Sequence, residues 1–172
     1  NVMMGISAGY GDGSSPYTNG SNNTAIGTSA LINTRASQSY TTALGSEAGF
    51  YTTGSYNTFV GGKAGYGGTT SLPYSSGTYN TAIGYQALKG FTTGHENVAV
   101  GAGAGLDITT GADNVMVGFS AAENYAEAQR NVAIGHKAHF VSQYANDNVV
   151  IGFQAGYNCN LSDWNVLVGT YA

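Results

Sequence analysis

The sequence predicts an all-β fold, a parallel β-roll or β-solenoid of ten short coils of about 17 residues, where a coil is one turn of the solenoid. Three observations predict it. One short motif recurs ten times along the 172 residues, its apolar residues alternate as in a strand, and a glycine follows every predicted strand. A single copy is too short to bury a core of its own, so neighbouring coils are expected to stabilise each other.

The repeat is clearest in the second half of the chain. Segments such as NVAVGAGAG from Asn97 and NVMVGFSAA from Asn114 contain an Asn, three apolar residues, a Gly and then an Ala. The glycines are spaced by 22, 18, 16 and 23 residues, then by 17 residues five times in succession. Positions are counted from the Asn as zero, and a column is the set of residues at one position in all coils. The repeat positions include Gly27, Gly84, Gly101, Gly118, Gly135, Gly152, Ala87, Ala104, Ala121, Asn97, Asn114 and Asn131.

Each predicted strand is apolar on both faces. Position 1 is always β-branched and position 3 is always a larger aliphatic or Met, so these two columns share one face. Position 2 points to the opposite face and is also apolar in every copy. A strand that is apolar on both faces is expected to be buried on both. We therefore expect copies of the chain to pack together, with the position 2 column as the face that needs covering.

The remaining invariant positions define the corners of the coil. The Gly at position 4 directly follows the strand, where a corner with positive φ is expected. The Ala at position 7 predicts a narrow coil with two short strand segments per turn, because a larger side chain would meet the opposite wall. The Asn at position 0, present in nine of ten copies, predicts a ladder of stacked side-chain amides.

These columns resemble the NTAIGxxAL and NTAIGxxAG repeats of phage tail-fibre proteins, and more distantly the SxAIGxxAxA repeats of trimeric autotransporter adhesin heads. The resemblance covers the whole chain and rests on the Asn, aliphatic, Gly and Ala columns. It implies a homotrimer of parallel β-rolls that is displayed outside the cell, on a virion or a cell surface, and is used for host attachment.

Composition excludes several other classes of protein. Only 8% of the residues are charged, about a third of the usual share, and the net charge is -4. Without a Lys/Arg cluster, nucleic acid is not an expected partner. Without an apolar run of about 20 residues, no membrane insertion is expected either. The single cysteine, Cys159, is expected to be small and half-buried. Both ends of the sequence fall inside the repeat, so we expect it to be part of a longer protein.

Three other functions of solenoid proteins are less compatible with the sequence than a fibre: catalysis, metal binding and ice binding. Enzymes built on parallel β-helices need clustered carboxylates, whereas the nine acids here, Asp107 and Glu123 among them, are scattered along the chain. No cofactor or metal is expected, because the three histidines do not repeat in register and no calcium-binding nonapeptide is present. An ice-binding solenoid would need a continuous Thr ladder, and the Thr-Thr-Gly turns from Thr52, Thr92 and Thr109 are interrupted elsewhere.

The chain is predicted to be one repeat domain, 1–172, with inserted loops at 11–22 and 67–79. Each loop contains a Pro-Tyr pair in a Gly/Ser-rich setting that suits adaptable hydrogen bonding around a rigid aromatic ring. The sequence thus indicates a structural and attachment segment of a trimeric fibre, with host-surface glycan as the ligand. A purely structural shaft is the main alternative. The predicted binding residues are Tyr17, Asn19, Asn22, Tyr74 and Tyr79.

Overall fold

The computed structural model describes residues 1–11, 20–32, 38–69, 74–141, 144–159 and 163–172, and it confirms a parallel β-solenoid. Each coil contributes one three-residue strand. The strands are β1 Val2–Met4, β2 Thr24–Ile26, β3 Thr42–Leu44, β4 Thr58–Val60, β5 Thr81–Ile83, β6 Val98–Val100, β7 Val115–Val117, β8 Val132–Ile134, β9 Val149–Ile151 and β10 Val166–Val168. No helix in these ranges is long and apolar enough to cross a membrane.

The ten strands form one parallel sheet in chain order, β1 to β10. Equivalent repeat positions are paired throughout, so that Val115 lies opposite Val132 and Met116 opposite Ala133. This register confirms the alignment of the columns, including those of the irregularly spaced first half. At about 4.8 Å per strand, nine steps give a rod of about 43 Å.

The position 2 column lies inside the coil, which corrects the prediction that it is the outward face. The position 2 residues of the eight inner strands, from Ala25 in β2 to Val150 in β9, are all fully buried. Positions 1 and 3 instead point away from the coil, and Ile83 and Val98 keep 40% and 36% of their surface exposed. Position 2 is Ala in five of the ten coils, and larger side chains such as Phe59 and Met116 fill the interior in others. The β-branched and aliphatic side chains at positions 1 and 3 form the outer face of the sheet.

The prediction of two strands per coil is wrong for the described residues, in which each coil has one named strand and two isolated bridges occur elsewhere. The segment after the strand folds as a series of turns. Its backbone still bonds to both neighbouring coils, since Gly103 N donates to Tyr85 O at 2.9 Å and Gly105 N donates to Ala121 O at 2.9 Å. Because successive turn residues bond alternately to the coil before and the coil after, the turns join neighbouring coils as a second strand would.

Among the described residues, most of the apolar side chains in the coil interior belong to four columns. Positions 2 and 7 were predicted as apolar, and positions 8 and 11 add larger side chains such as Leu88 and Phe91, both fully buried. The ring of Phe59 at position 2 packs against Phe91 at position 11, with centroids 5.7 Å apart. The position 7 alanines from Ala30 to Ala155 are all fully buried, which confirms the expected narrow coil.

Ala104→Leu is expected to destabilise the protein by about 1 to 3 kcal/mol, because the buried position 7 column has no room for three more carbons. The free energy of unfolding from denaturant titration measures this. Asp113→Leu, at the exposed position before the next Asn, is the control and should change stability little. Equal effects at both sites would contradict the assignment of the interior columns.

The Asn column forms the predicted amide ladder. The Asn114 Nδ2 group donates to Asn97 Oδ1 at 3.0 Å and to Ala128 O at 2.8 Å. Its Oδ1 accepts from the backbone N and from Nδ2 of Asn131, at 3.0 and 3.1 Å. Each buried amide therefore joins the coil before it to the coil after it, and the same geometry recurs from Asn80 to Asn165.

In the one coil that has Thr41 in place of the Asn, the side chain of Gln38 makes one of the missing hydrogen bonds. At Thr41 the ladder lacks an amide that would donate to Gly54 O in the next coil. The side chain of Gln38, three residues earlier and fully buried, donates from Nε2 to that same Gly54 carbonyl at 3.0 Å. The Thr41 N–H still donates to Asn23 Oδ1 at 2.9 Å, so the ladder is preserved on its other side.

His139 is buried inside the coil at position 8, where other coils have Leu, Ala or Gly. Its Nδ1 is hydrogen-bonded to the hydroxyl of buried Tyr125. Burial lowers the pKa of His139 from 6.5 to about 4, because a charged imidazole would lose its hydration. The burial also raises the pKa of Tyr125 well above its usual value.

Because the folded protein binds this proton more weakly than the unfolded chain, stability should fall as the pH drops from about 6.5 to about 4. Over that pH window, protonation of His139 lowers the free energy of unfolding by about 3 kcal/mol. His139→Leu is the matched variant, because Leu31 and Leu88 occupy the same column with the same φ of 49°. Chemical denaturation at several pH values should show a smaller loss in the variant than in the parent. An unchanged loss would assign the acid sensitivity to other groups.

Candidate functional site

The structure separates the predicted binding residues. Asn22 and Tyr79 both lie at the position before the Asn ladder, three coils apart on one column, and both are exposed. Tyr74 is half-buried elsewhere, and Tyr17 and Asn19 lie outside the described residues. The two predicted loops therefore do not combine their described residues into one site.

Backbone hydrogen bonds show that the second insertion is shorter than the predicted 67–79. Gly68 N donates to Phe91 O at 2.7 Å, and Ser75 N donates to Tyr51 O at 2.9 Å, so both residues keep the register of the coil. Ser75 also pairs in parallel with Thr52. The added residues of this coil are thus those between Gly68 and Ser75, of which 70–73 lie outside the described part of the chain. Tyr79 belongs to the body of the solenoid.

Tyr79 ends a ladder of stacked tyrosines that the sequence analysis did not identify. The centroids of Tyr40 and Tyr56 are 5.2 Å apart and those of Tyr56 and Tyr79 are 4.8 Å apart, with rings within 3° of parallel. All three rings are about half exposed. Because the ring faces cover one another, the ladder presents mainly ring edges and hydroxyl groups to solvent. A sugar could stack on Tyr79 only from the side turned away from Tyr56.

Tyr74 belongs to a second aromatic group, at the base of the 69–74 insertion. Its ring lies 5.6 Å from that of Tyr51, which in turn makes an edge contact with Tyr66 at 5.3 Å. Phe50 stacks on Tyr66 at 5.2 Å. This packing anchors the end of the insertion to the coil and explains why Tyr74 is half-buried.

A third aromatic column follows the corner glycines at position 5. Phe119, His136 and Phe153 stack with centroids 5.2 and 5.1 Å apart and interplanar angles of 15°. All three side chains are exposed. The 17-residue spacing of these residues is the signal that would have found this column, because equivalent positions lie above one another.

The Thr-Thr-Gly turns are used for structure. Thr92 Oγ1 donates to Thr109 O at 3.0 Å, and Thr109 Oγ1 donates to Ala126 O at 2.7 Å, so each hydroxyl is bonded to the next coil. Thr52 is fully buried. Of these turns, Thr93 and Thr110 provide exposed threonines on adjacent coils. A flat, continuous Thr surface of the kind that orders ice is not formed by these residues.

The ionisable groups of the described surface lie singly or in small groups, such as Glu123 with Asp107. Among the described residues, no group of three or more His, Cys, Asp or Glu side chains lies close enough to hold a metal ion. Arg130 forms a bidentate pair with Asp147 at 2.7 and 2.8 Å, and this contact lowers the pKa of the Asp147 carboxyl. Cys159 is exposed, contrary to the expected half-burial.

The chain matches no protein-family model, and no curated protein or solved structure shows significant similarity to it.

Proposed function

We propose that this chain is a structural and attachment segment of a trimeric extracellular fibre, of the kind found in phage tails and surface adhesins, that holds its binding features on a rigid rod. The observation that carries the proposal is the outer face of the ten-stranded sheet. Positions 1 and 3 are Val, Thr, Ile, Leu or Met in every coil, and they face away from the interior. A parallel sheet normally has both faces covered.

Identical copies are the occupant that fits this face best. A neighbouring copy presents the same aliphatic columns with the same spacing of about 4.8 Å, so side chains can interdigitate along the whole rod. Three parallel chains around a common axis can bury all three sheet faces at once. The low charge of the chain removes the repulsion that would oppose close parallel packing.

Val117→Glu is expected to dissociate the assembly into folded monomers, because Val117 lies on the outer sheet face in the middle of the rod. Its neighbours across the sheet, Val100 and Ile134, are also aliphatic, so the assembly would have to bury an unpaired carboxylate from each chain. Sedimentation velocity gives the mass, and circular dichroism checks the fold. Thr110→Glu, on an exposed turn, is the control and should remain assembled. A Val117→Glu variant that stays assembled would place the interface elsewhere.

Attachment is proposed to occur through host-surface glycans. The support is the number of exposed aromatic side chains, among them Tyr40, Tyr56, Tyr79, Tyr85 and Phe119. A glycan array probed with the assembled chain tests this, together with a variant in which both insertions are shortened to the 17-residue spacing. Binding lost on shortening would locate the site on the insertions. The absence of binding by the intact chain would favour a purely structural shaft.

A further inference from the structure

The aromatic column at position 5 lacks one rung. Phe119 stacks on His136 in the next coil, and the preceding aromatic residue in the column is Tyr85, two coils before Phe119. The coil between them has Ala102 at position 5 and Gly103 at position 6. Two coil steps separate equivalent atoms of Tyr85 and Phe119 by about 9.6 Å.

This missing rung is an open cleft of about 310 Å³. Tyr85 and Phe119 line it on either side, and both keep more than half of their surface exposed. Ala102 and Gly103 also line it and are small enough to leave the space between the rings empty. The rings of Phe119 and His136 are 5.2 Å apart, so a separation of about 9.6 Å leaves space for one further ring at that spacing.

Polar groups occupy one side of the cleft. A Cβ atom placed on Gly103 would lie 3.2 Å from Ser120 Oγ and 3.9 Å from Glu123 Oε2, so both oxygens face the free space. Burial raises the pKa of the Asp107 carboxyl, and the nearby charge of Glu123 raises it further. Carboxylates accept hydrogen bonds from hydroxyl groups and repel anions.

A second cleft of about 270 Å³ adjoins the first through Leu106, which lines both. Its lining includes Tyr66, Lys89 and Asp107. An elongated ligand bound between Tyr85 and Phe119 can therefore continue across Leu106 towards Tyr66.

We propose that the cleft between Tyr85 and Phe119 binds one neutral pyranose unit of a polysaccharide, whose ring fills the missing rung of the aromatic column. The electron-rich faces of the two rings contact the C–H groups of the sugar. Ser120 and Glu123 bind its hydroxyl groups, and the carboxylates disfavour acidic sugars. This inference rests on the proposed attachment function and assigns it to a site on the body of the rod.

Two variants fill the cleft with residues that the repeat itself accepts. Ala102→Phe supplies the missing rung, because position 5 is Phe in two later coils. Gly103→Gln uses the residue present at the same position as Gln86 and Gln154, whose φ values of 59° and 51° are close to the 69° of Gly103. Ser46→Phe is the matched control, since it makes an equivalent change on an exposed position 5 residue three coils away.

The test is a glycan array followed by titration of the best neutral oligosaccharide against the assembled chain, the three variants and the variant with shortened insertions. We expect both cleft-filling variants to weaken binding on the order of tenfold or more, since two ring contacts are lost. Ser46→Phe and the shortened variant should bind as the parent does.

Other outcomes overturn the inference in distinguishable ways. Binding that is lost on shortening the insertions but kept by Ala102→Phe and Gly103→Gln would overturn the cleft site and leave glycan attachment intact. Binding restricted to acidic glycans would overturn the proposed ligand. No glycan binding by the parent would overturn both the cleft and the attachment function.

Discussion

Gly118→Val is expected to be the most damaging single substitution, with a loss of about 4 kcal/mol or more in the free energy of unfolding. The corner glycine has a φ of 135°, a conformation that β-branched residues do not adopt without strain. A Cβ atom at this position would also lie 2.4 Å from the carbonyl oxygen of Gly135 in the next coil. The strain and the clash each contribute about 1 to 3 kcal/mol, and the backbone of two coils would have to separate.

Thermal unfolding followed by circular dichroism measures this effect, and Gly62→Val is the control. Gly62 follows a corner glycine directly, and the nearest atom to a Cβ there belongs to the Tyr85 ring, at an ordinary contact distance of 3.5 Å. Other coils have Ile, Tyr or Phe at that position. If Gly118→Val unfolds at the same temperature as Gly62→Val, position 4 is not the tight corner described here.

Asn114→Ala is expected to cost a similar amount, about 4 kcal/mol. The change removes the acceptor of the Asn131 backbone N–H and the donor to the Ala128 carbonyl. Each buried group left without a partner costs about 1 to 3 kcal/mol. Denaturant titration measures the loss, with Asn146→Ala as the control because the side-chain bonds of Asn146 are solvent-exposed. A loss under about 1 kcal/mol would mean that the ladder is not needed to join the coils.

The sheet and its register could be predicted from the sequence because they depend on strictly repeated residues. The Gly at position 4, the Ala at position 7 and the Asn at position 0 each occupy a site where backbone contact or buried hydrogen bonding admits few alternatives. Repetition also fixes which residues are neighbours, so the nine in-register pairings of the ten strands followed directly.

The direction in which the strand faces could not be predicted, because all three strand positions are apolar. Alternation alone separates positions 1 and 3 from position 2 without saying which face is inside. Residue volume does not decide it either, since position 2 is Ala in five coils and Met, Phe, Val or Leu in the other five. The structure assigns the inward face, where Phe59 and Met116 are as fully buried as the alanines.

The backbone conformations of the turns could not be predicted from the sequence pattern either. Tyr40, Tyr56 and Tyr79 adopt positive φ values of 56° to 62°, which are unusual for bulky residues. They are held there by hydrogen bonds to the preceding coil, such as Tyr56 N to Ser39 O at 3.0 Å. Their stacking, and with it the edge-on display of their rings, is a consequence of the stacked coils rather than of any local signal.

The candidate site was only partly predictable for a related reason. The sequence predicted binding residues on the two insertions, because the insertions interrupt the repeat by adding residues. The cleft beside Phe119 interrupts it instead by small residues, Ala102 and Gly103, between coils that have larger side chains at the same two positions. An omission of this kind becomes visible only when equivalent positions are placed above one another along the rod.

The mass of the unmodified chain in solution, from multi-angle light scattering, tests the central claim most directly. If the outer sheet face is covered by identical copies, the folded protein should have three times the chain mass of 17.6 kDa. A folded, soluble species of 17.6 kDa, with the circular dichroism of a β-protein, would contradict the claim that this face joins the chains into a trimeric rod.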